Sequence, residues 1–194
     1  MRFLQIMKTL LCVGLLSAMV IQVNAALIPF DLQGSAGPGL LFLNEPVASG
    51  GTGGEIGAGI IYDNSIRLLT LNIGWGSSQG FTDLSSVSNA SHIHGPTASN
   101  NGSGFTQTAG VLFTLTRSSS AVTGGTFTGP SNTITLTAAQ ETDLLNGKYY
   151  VNIHTANNGG GELRGFLVAV PEPATAALLV TGALGMVARR RRRA

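Results

Sequence analysis

The sequence predicts an all-β domain, an antiparallel Greek-key-like β-sandwich with one short helix, set between an N-terminal signal helix and a C-terminal transmembrane helix. Period-two alternation of apolar and polar residues dominates the middle of the chain, and helical periodicity is almost absent there. Clusters of Gly, Ser and Asn at 49–57, 76–80, 99–104, 118–120 and 157–161 cut the alternating runs into short pieces, as expected of strands joined by tight turns. The single cysteine, Cys12, lies in the N-terminal apolar run, so the domain must rely on an apolar core instead of disulfides.

The alternating runs place strands at 27–33, 40–43, 58–63, 66–75, 111–117, 124–128, 131–136, 148–154 and 162–170. One helix is expected after Thr137. Thr137 can cap it, Gln140 occupies the third helical position, Leu144 and Leu145 give an apolar face, and Gly147 can adopt the left-handed conformation that ends it. This helix is expected to plug one end of the sandwich. Gly51-Thr52-Gly53-Gly54-Glu55 reads as a flexible turn, since no Lys-Ser/Thr follows to serve a phosphate.

Both ends of the chain read as address labels. Arg2 and Lys8 stand before or beside the apolar run 9–23, and Val23-Asn24-Ala25 supplies the short side chains that signal peptidase reads. Residues 1–25 are therefore expected to be a cleaved signal peptide. The run is short of the about 20 residues a bilayer span needs, which argues against an uncleaved anchor. Leu10-Leu11 before Cys12 lack the small residue of a lipidation signal. At the other end, Pro171-Glu172-Pro173 leads into the apolar run 174–188 and then into Arg189, Arg190, Arg191, Arg192 and Arg193. A helix over that run reaches only ~22 Å at 1.5 Å per residue, against a hydrocarbon core of about 30 Å, so insertion needs snorkelling arginines and local thinning. The arginines hold that end in the cytoplasm, which leaves residues 26–170 outside the inner membrane.

Removing both labels reverses the charge. The whole chain carries net +2, but 26–170 contains four basic residues (Arg67, Arg117, Lys148, Arg164) against eight acidic ones. No basic patch remains to neutralise phosphates, so nucleic acid is not an expected partner.

All three histidines fall in two strand-like motifs, Ser91-His92-Ile93-His94-Gly95-Pro96 and Tyr150-Val151-Asn152-Ile153-His154-Thr155. Residues two apart on a strand share a face. His92 and His94 therefore point together, and Tyr150, Asn152 and His154 share the face opposite Tyr149, Val151 and Ile153. The apolar set should face the core and leave the histidines on the outward or rim face. If the two strands are neighbours, three imidazoles converge.

The motifs His92-Ile93-His94-Gly95-Pro96, 144–155 and Gly161-Glu162-Leu163-Arg164-Gly165 resemble the CHRD domain, a family named from chordin and widespread in exported bacterial proteins. The resemblance spans roughly residues 30–168 and is most specific in its second half; Asn44-Glu45-Pro46-Val47 only approximates the family's opening element. It draws Asn152, Thr155, Glu162 and Arg164 in as family-motif residues and implies an extracellular binding or structural role. The tail, Val170-Pro171-Glu172-Pro173-Ala174 followed by the apolar run and the arginines, resembles a PEP-CTERM sorting signal. That implies processing by exosortase in a Gram-negative bacterium, transient anchoring in the inner membrane and release or attachment at the cell surface, often beside exopolysaccharide. A permanent tail anchor is the competing reading.

Two readings of the imidazoles stand at this point. His92, His94 and His154 could ligate Cu²⁺ or Zn²⁺ through neutral ring nitrogens, with water completing the shell. Alternatively, His92, His94, Asn152 and Arg164 form a hydrogen-bonded network that fixes loops at the sandwich edge, and no cofactor is needed. The His-x-His pair resembles that of copper–zinc superoxide dismutases, but a chain with three histidines lacks the further ligands of their two-metal site. Glu162 and Arg164 read as a modest, fold-maintaining ion pair. Gly76-Ser77-Ser78-Gln79-Gly80 matches the G-x-S-x-G elbow of serine hydrolases in letters only, because no helix follows. Trp75 and Phe81 flank the same loop and read as packing residues, with a sugar-stacking platform as the alternative. The expected function is a non-catalytic exported surface or matrix protein, its partners signal peptidase, exosortase and a polysaccharide or surface-protein ligand. A metal-binding secreted protein and an exopolysaccharide binder are the alternatives.

Overall fold

The computed structural model describes residues 27–47, 49–98 and 105–171, so the expected signal helix and the sorting tail beyond Pro171 lie outside the described residues. Among the described residues thirteen strands join in one branched, wholly antiparallel sheet. They are β1 (Leu27–Gly34), β2 (Gly37–Pro38), β3 (Leu40–Leu41), β4 (Thr52–Glu55), β5 (Ile60–Asp63), β6 (Leu68–Thr70), β7 (Ile73–Trp75), β8 (Ser88–His94), β9 (Val111–Thr114), β10 (Gly125–Phe127), β11 (Thr133–Thr135), β12 (Tyr150–Thr155) and β13 (Leu163–Ala169). The helix α1 (Ala138–Leu145) stands between β11 and β12. Among the described residues no helix is long and apolar enough to cross a membrane.

β13 is the branch point. Along one edge it pairs with β1 through its C-terminal half and with β3 at Arg164, and its other edge pairs with β12. From β1 the sheet runs on to β5, β6 and β11, from β3 to β4, β7 and β10, and from β12 to β8 and β9. Two arms leaving the same edge cannot stay coplanar, so they diverge and enclose a core. Phe30, Leu32, Leu40, Ile60, Leu69, Ile73, Trp75, Ile93, Phe127, Val151, Ile153 and Leu163 fill it.

The helix forms where expected. Thr137 accepts from the Gln140 amide (3.2 Å) while the Gln140 side chain accepts from the Thr137 amide (2.9 Å), a complete capping box. Gly147 follows at φ 65°, the left-handed stop. Of the expected apolar face only Leu144 enters the core, while Leu145 is exposed.

Two expectations need correction. The run 66–75 is not one strand: it breaks at Leu71 and Asn72, where the chain leaves the β5–β6 arm and enters the β4–β7 arm. Asn72 holds this corner through its side-chain amide to the Gly59 carbonyl (2.9 Å). The glycine-rich 51–55 segment is β4, not a flexible turn. A Cβ at Gly53 would sit 2.6 Å from the Gly74 carbonyl, so close strand approach selects glycine there.

Trp75 is 0 % exposed, packs its ring 5.0 Å from that of Phe127 and donates to the Ala121 carbonyl (3.4 Å), which overturns the sugar-stacking alternative. The Gly76–Gly80 loop is a 3-10 turn over Ser77–Gln79. Truncating the largest core side chain by Trp75→Ala should destabilise the domain by about 3–5 kcal/mol. The denaturant midpoint at unchanged m-value measures this, and a loss below about 1 kcal/mol would show that the indole is not a core anchor.

Candidate functional site

Antiparallel pairing of β8 with β12 puts His94 opposite Tyr150, His92 opposite Asn152 and Ala90 opposite His154. Directly opposed side chains emerge on one face, so His92, His94, Tyr150, Asn152 and His154 share a face, with His154 diagonal to His92. Ile93, Val151 and Ile153 take the other face into the core. The imidazole face, expected on the outward or rim side, is largely covered: His94 is 8 % exposed, Tyr150 and Asn152 are buried, and His92 and His154 are partly buried.

The three rings converge. Their centroids lie 5.0 Å apart for His92 and His154, and 5.5 Å apart for the other two pairs. One ring nitrogen from each lies within 4.8 Å of the others. His94 Nδ1 donates to the Ala109 carbonyl (2.9 Å) and His154 Nδ1 donates to the Gly159 carbonyl (3.0 Å). A carbonyl oxygen can only accept, so each Nδ1 holds the ring proton and each Nε2 presents a lone pair. Those two Nε2 atoms face each other at 3.3 Å. His92 Nδ1 is buried with no hydrogen-bond partner, which in an apolar setting costs about 1–3 kcal/mol. Burial, then the neighbouring His154, His94 and Arg117, holds the His92 pKa below the usual imidazole range. Burial likewise lowers His94, and His154 and Arg164 add to this, while the bond to Ala109 opposes it.

The supporting shell includes groups to which the sequence motifs assign no role. Tyr150 stacks on His94 with centroids 5.0 Å apart and planes 8° from parallel. Its hydroxyl donates to the Ala109 carbonyl (3.3 Å) and accepts from the Ala109 amide (3.2 Å), fixing the residue that holds His94. Spacing alone puts Tyr150 on the histidine face; the two carbonyls have no sequence signal because every residue carries the same backbone. Asn152 donates to the Gly160 carbonyl (3.1 Å), next to the carbonyl that holds His154. A Cβ at Gly161 (φ 136°) would lie 2.4 Å from the Asn152 amide, so this loop closes on the site only with glycine.

Glu162 and Arg164 are not partners of one another. Arg164, 3 % exposed, stands with its Nε 3.6 Å from Glu45 Oε1, lies 4.0 Å over the Tyr150 ring and donates through Nη2 to the Gln107 carbonyl. Burial pushes the Glu45 pKa up and Arg164 partly offsets it. Glu162 is 0 % exposed and its carboxylate accepts from the Gly51 amide (2.9 Å), the Ser85 amide and hydroxyl (both 2.6 Å), Thr155 Oγ1 (2.7 Å) and Asn158 Nδ2 (3.2 Å). Each is thus a separate buried charge that staples other segments, in place of the modest pair with one another that was expected. Beside them a crevice of about 550 Å³ opens between the β12–β13 loop and the segments carrying Glu45 to Val47, Thr106 and Thr108. Pro171 lies at the exposed end of the described chain, and the other sorting residues fall outside the described residues.

Burial alone would raise the Glu162 pKa, but its bonds from Ser85, Thr155 and Gly51 outweigh this and hold it below its ordinary 4.5. A depressed folded pKa gives stability that is complete above the ordinary value and is lost as pH falls through the folded one. Glu162→Gln should cost about 2–4 kcal/mol at pH 7, and the gap to wild type should shrink below pH ~4.5. Denaturation at stepped pH measures this; a gap independent of pH would contradict the staple.

Residues 43–167 match the CHRD domain, and residues 169–193 match the PEP-CTERM protein-sorting motif. No curated protein and no solved structure matches the chain. The first match spans most of the sequence and takes in β4 through β12, β13 as far as Leu167, the three histidines, Asn152, Thr155, Glu162 and Arg164, and the second begins at the last residue of β13. The chain belongs to the CHRD domain family and carries an exosortase sorting signal that marks it as an exported cell-surface protein.

Proposed function

We propose that the β domain is a non-catalytic binding and structural module displayed at the cell surface, with the crevice beside β12 and β13 as its ligand surface. The crevice carries this reading. Thr106 and Thr108 are exposed, Asn157 and Asn158 line the crevice with their amide nitrogens already donated within the fold, and Gly159 to Gly161 bring bare backbone. Such a lining sets hydroxyl, amide and backbone groups into a surface that is more apolar than polar, and the volume falls in the range of ligand pockets. Arg164 is matched by Glu45, so the lining holds a charge pair in place of an uncompensated charge. A hydroxyl-rich, weakly charged polymer such as exopolysaccharide fits that chemistry better than a phosphate or a strongly acidic chain.

The buried acids support a binding role over a catalytic one. All five donors around Glu162 are spent on holding three chain segments, and Glu45 is tied to Arg164. A general acid or nucleophile needs a free lobe pointed at substrate. The Glu162 carboxylate offers none.

The experiment is retention of the producing cell's exopolymer by the full-length protein and by a Thr106→Ala/Thr108→Ala variant, with Ser119→Ala as a surface control. Retention should fall at least tenfold in the double variant and stay unchanged in the control. Equal retention by all three would remove the crevice as the ligand surface.

A further inference from the structure

We propose that His92, His94 and His154 form a three-imidazole site for one Cu²⁺ or Zn²⁺ ion, with a fourth position open to water or an exogenous ligand. The site is separate from the crevice, and neither proposal depends on the other.

The geometry fits a metal in three respects. First, a triangle with no side longer than 4.8 Å has a point within about 2.8 Å of every corner (4.8 Å divided by √3), so the three nitrogens need close by under an ångström to reach bonds of about 2.0–2.1 Å. Second, tetrahedral bonds of that length space two ligand nitrogens by about 3.3 Å, and His94 Nε2 and His154 Nε2 stand 3.3 Å apart. Third, both rings give their other nitrogen to a backbone carbonyl, the outer-shell arrangement that fixes tautomer and ring orientation in metal-bound histidine.

The lone pairs make the same point chemically. With both Nδ1 protons committed to Ala109 and Gly159, two acceptors face each other and repel unless something positive lies between them. A shared proton would serve that pair alone, whereas one nitrogen of His92 stands within 4.8 Å of a nitrogen of each of the other two rings. A cation engages all three rings. The donor set selects which cation: neutral imidazoles suit Cu²⁺ and Zn²⁺, whereas Ca²⁺ and Mg²⁺ require oxygen ligands, and among the described residues no carboxylate joins the three histidines. Between the two ions, the same nitrogen site should favour Cu²⁺.

The test uses the tag-free, full-length protein stripped with chelator. Titration with Cu²⁺ and, separately, with Zn²⁺ should show one equivalent bound, Cu²⁺ the tighter. The electron paramagnetic resonance spectrum of the Cu²⁺ form should carry superhyperfine structure from three imidazole nitrogens. His94→Gln and His154→Gln should each weaken binding at least 100-fold. Tyr150→Phe, which keeps the ring stack but frees Ala109, should weaken it about tenfold. Absence of stoichiometric binding, a spectrum with fewer than three nitrogens, or affinity unchanged in the histidine variants would overturn the site. The nitrogen count is read on the wild-type protein, so the test remains decisive even if a variant fails to fold.

Discussion

The pairing of β8 with β12 is the constraint on which the rest of this molecule depends. Its register opposes His92 to Asn152 and His94 to Tyr150. Because side chains alternate, a slip of one residue between the two strands would set Ile93 opposite Tyr150 or Asn152 and turn either Ile93 or the Val151 and Ile153 pair out of the core. The apolar core therefore sets the position of the polar face. Burial on one side of the sheet specifies chemistry on the other.

That second face is itself buried, which is unusual for an antiparallel sheet with polar residues on it. It is covered by backbone: the Ala109 segment over His94, and the loop of Gly159 and Gly160 over His154 and Asn152. Buried polar groups need partners, and here the loops supply them. The ionic staples complete the arrangement. Glu162 gathers the segments of Gly51, Ser85 and Asn158, while Arg164 ties β13 to Glu45 and to the Gln107 segment. With no disulfide in the domain, these two buried charges fasten loops that cystine would fasten elsewhere.

Much of this is legible in the sequence, for physical reasons. Strict alternation locates β1, β5 and β12, and the Thr137-to-Gln140 spacing locates α1, because both signals are local and periodic. The shared face of Tyr150, Asn152 and His154 follows from the same period. The corner at Leu71 and Asn72 is hidden because the alternation runs through it unbroken; only pairing partners reveal that the chain changes arms. β4 is hidden for the opposite reason, since close approach of neighbouring strands demands the glycines that ordinarily signal a turn. Glu162 and Arg164 look like a pair in the sequence because spacing says which face they share, not which distant segments fold over them. Their partners lie as far away as Gly51 and Glu45. The family and sorting motifs place the chain at the cell surface, where a polar crevice and a buried set of ring nitrogens would both meet the extracellular medium.

At the centre of this picture, two backbone carbonyls dictate the tautomers of His94 and His154 and so turn their Nε2 lone pairs toward each other. Long-range ¹H–¹⁵N correlation spectra of the histidine rings at neutral pH test this directly, since they distinguish a protonated from an unprotonated ring nitrogen. Both rings should be protonated at Nδ1 and unprotonated at Nε2. Rings protonated at Nε2, or averaging between tautomers, would contradict it.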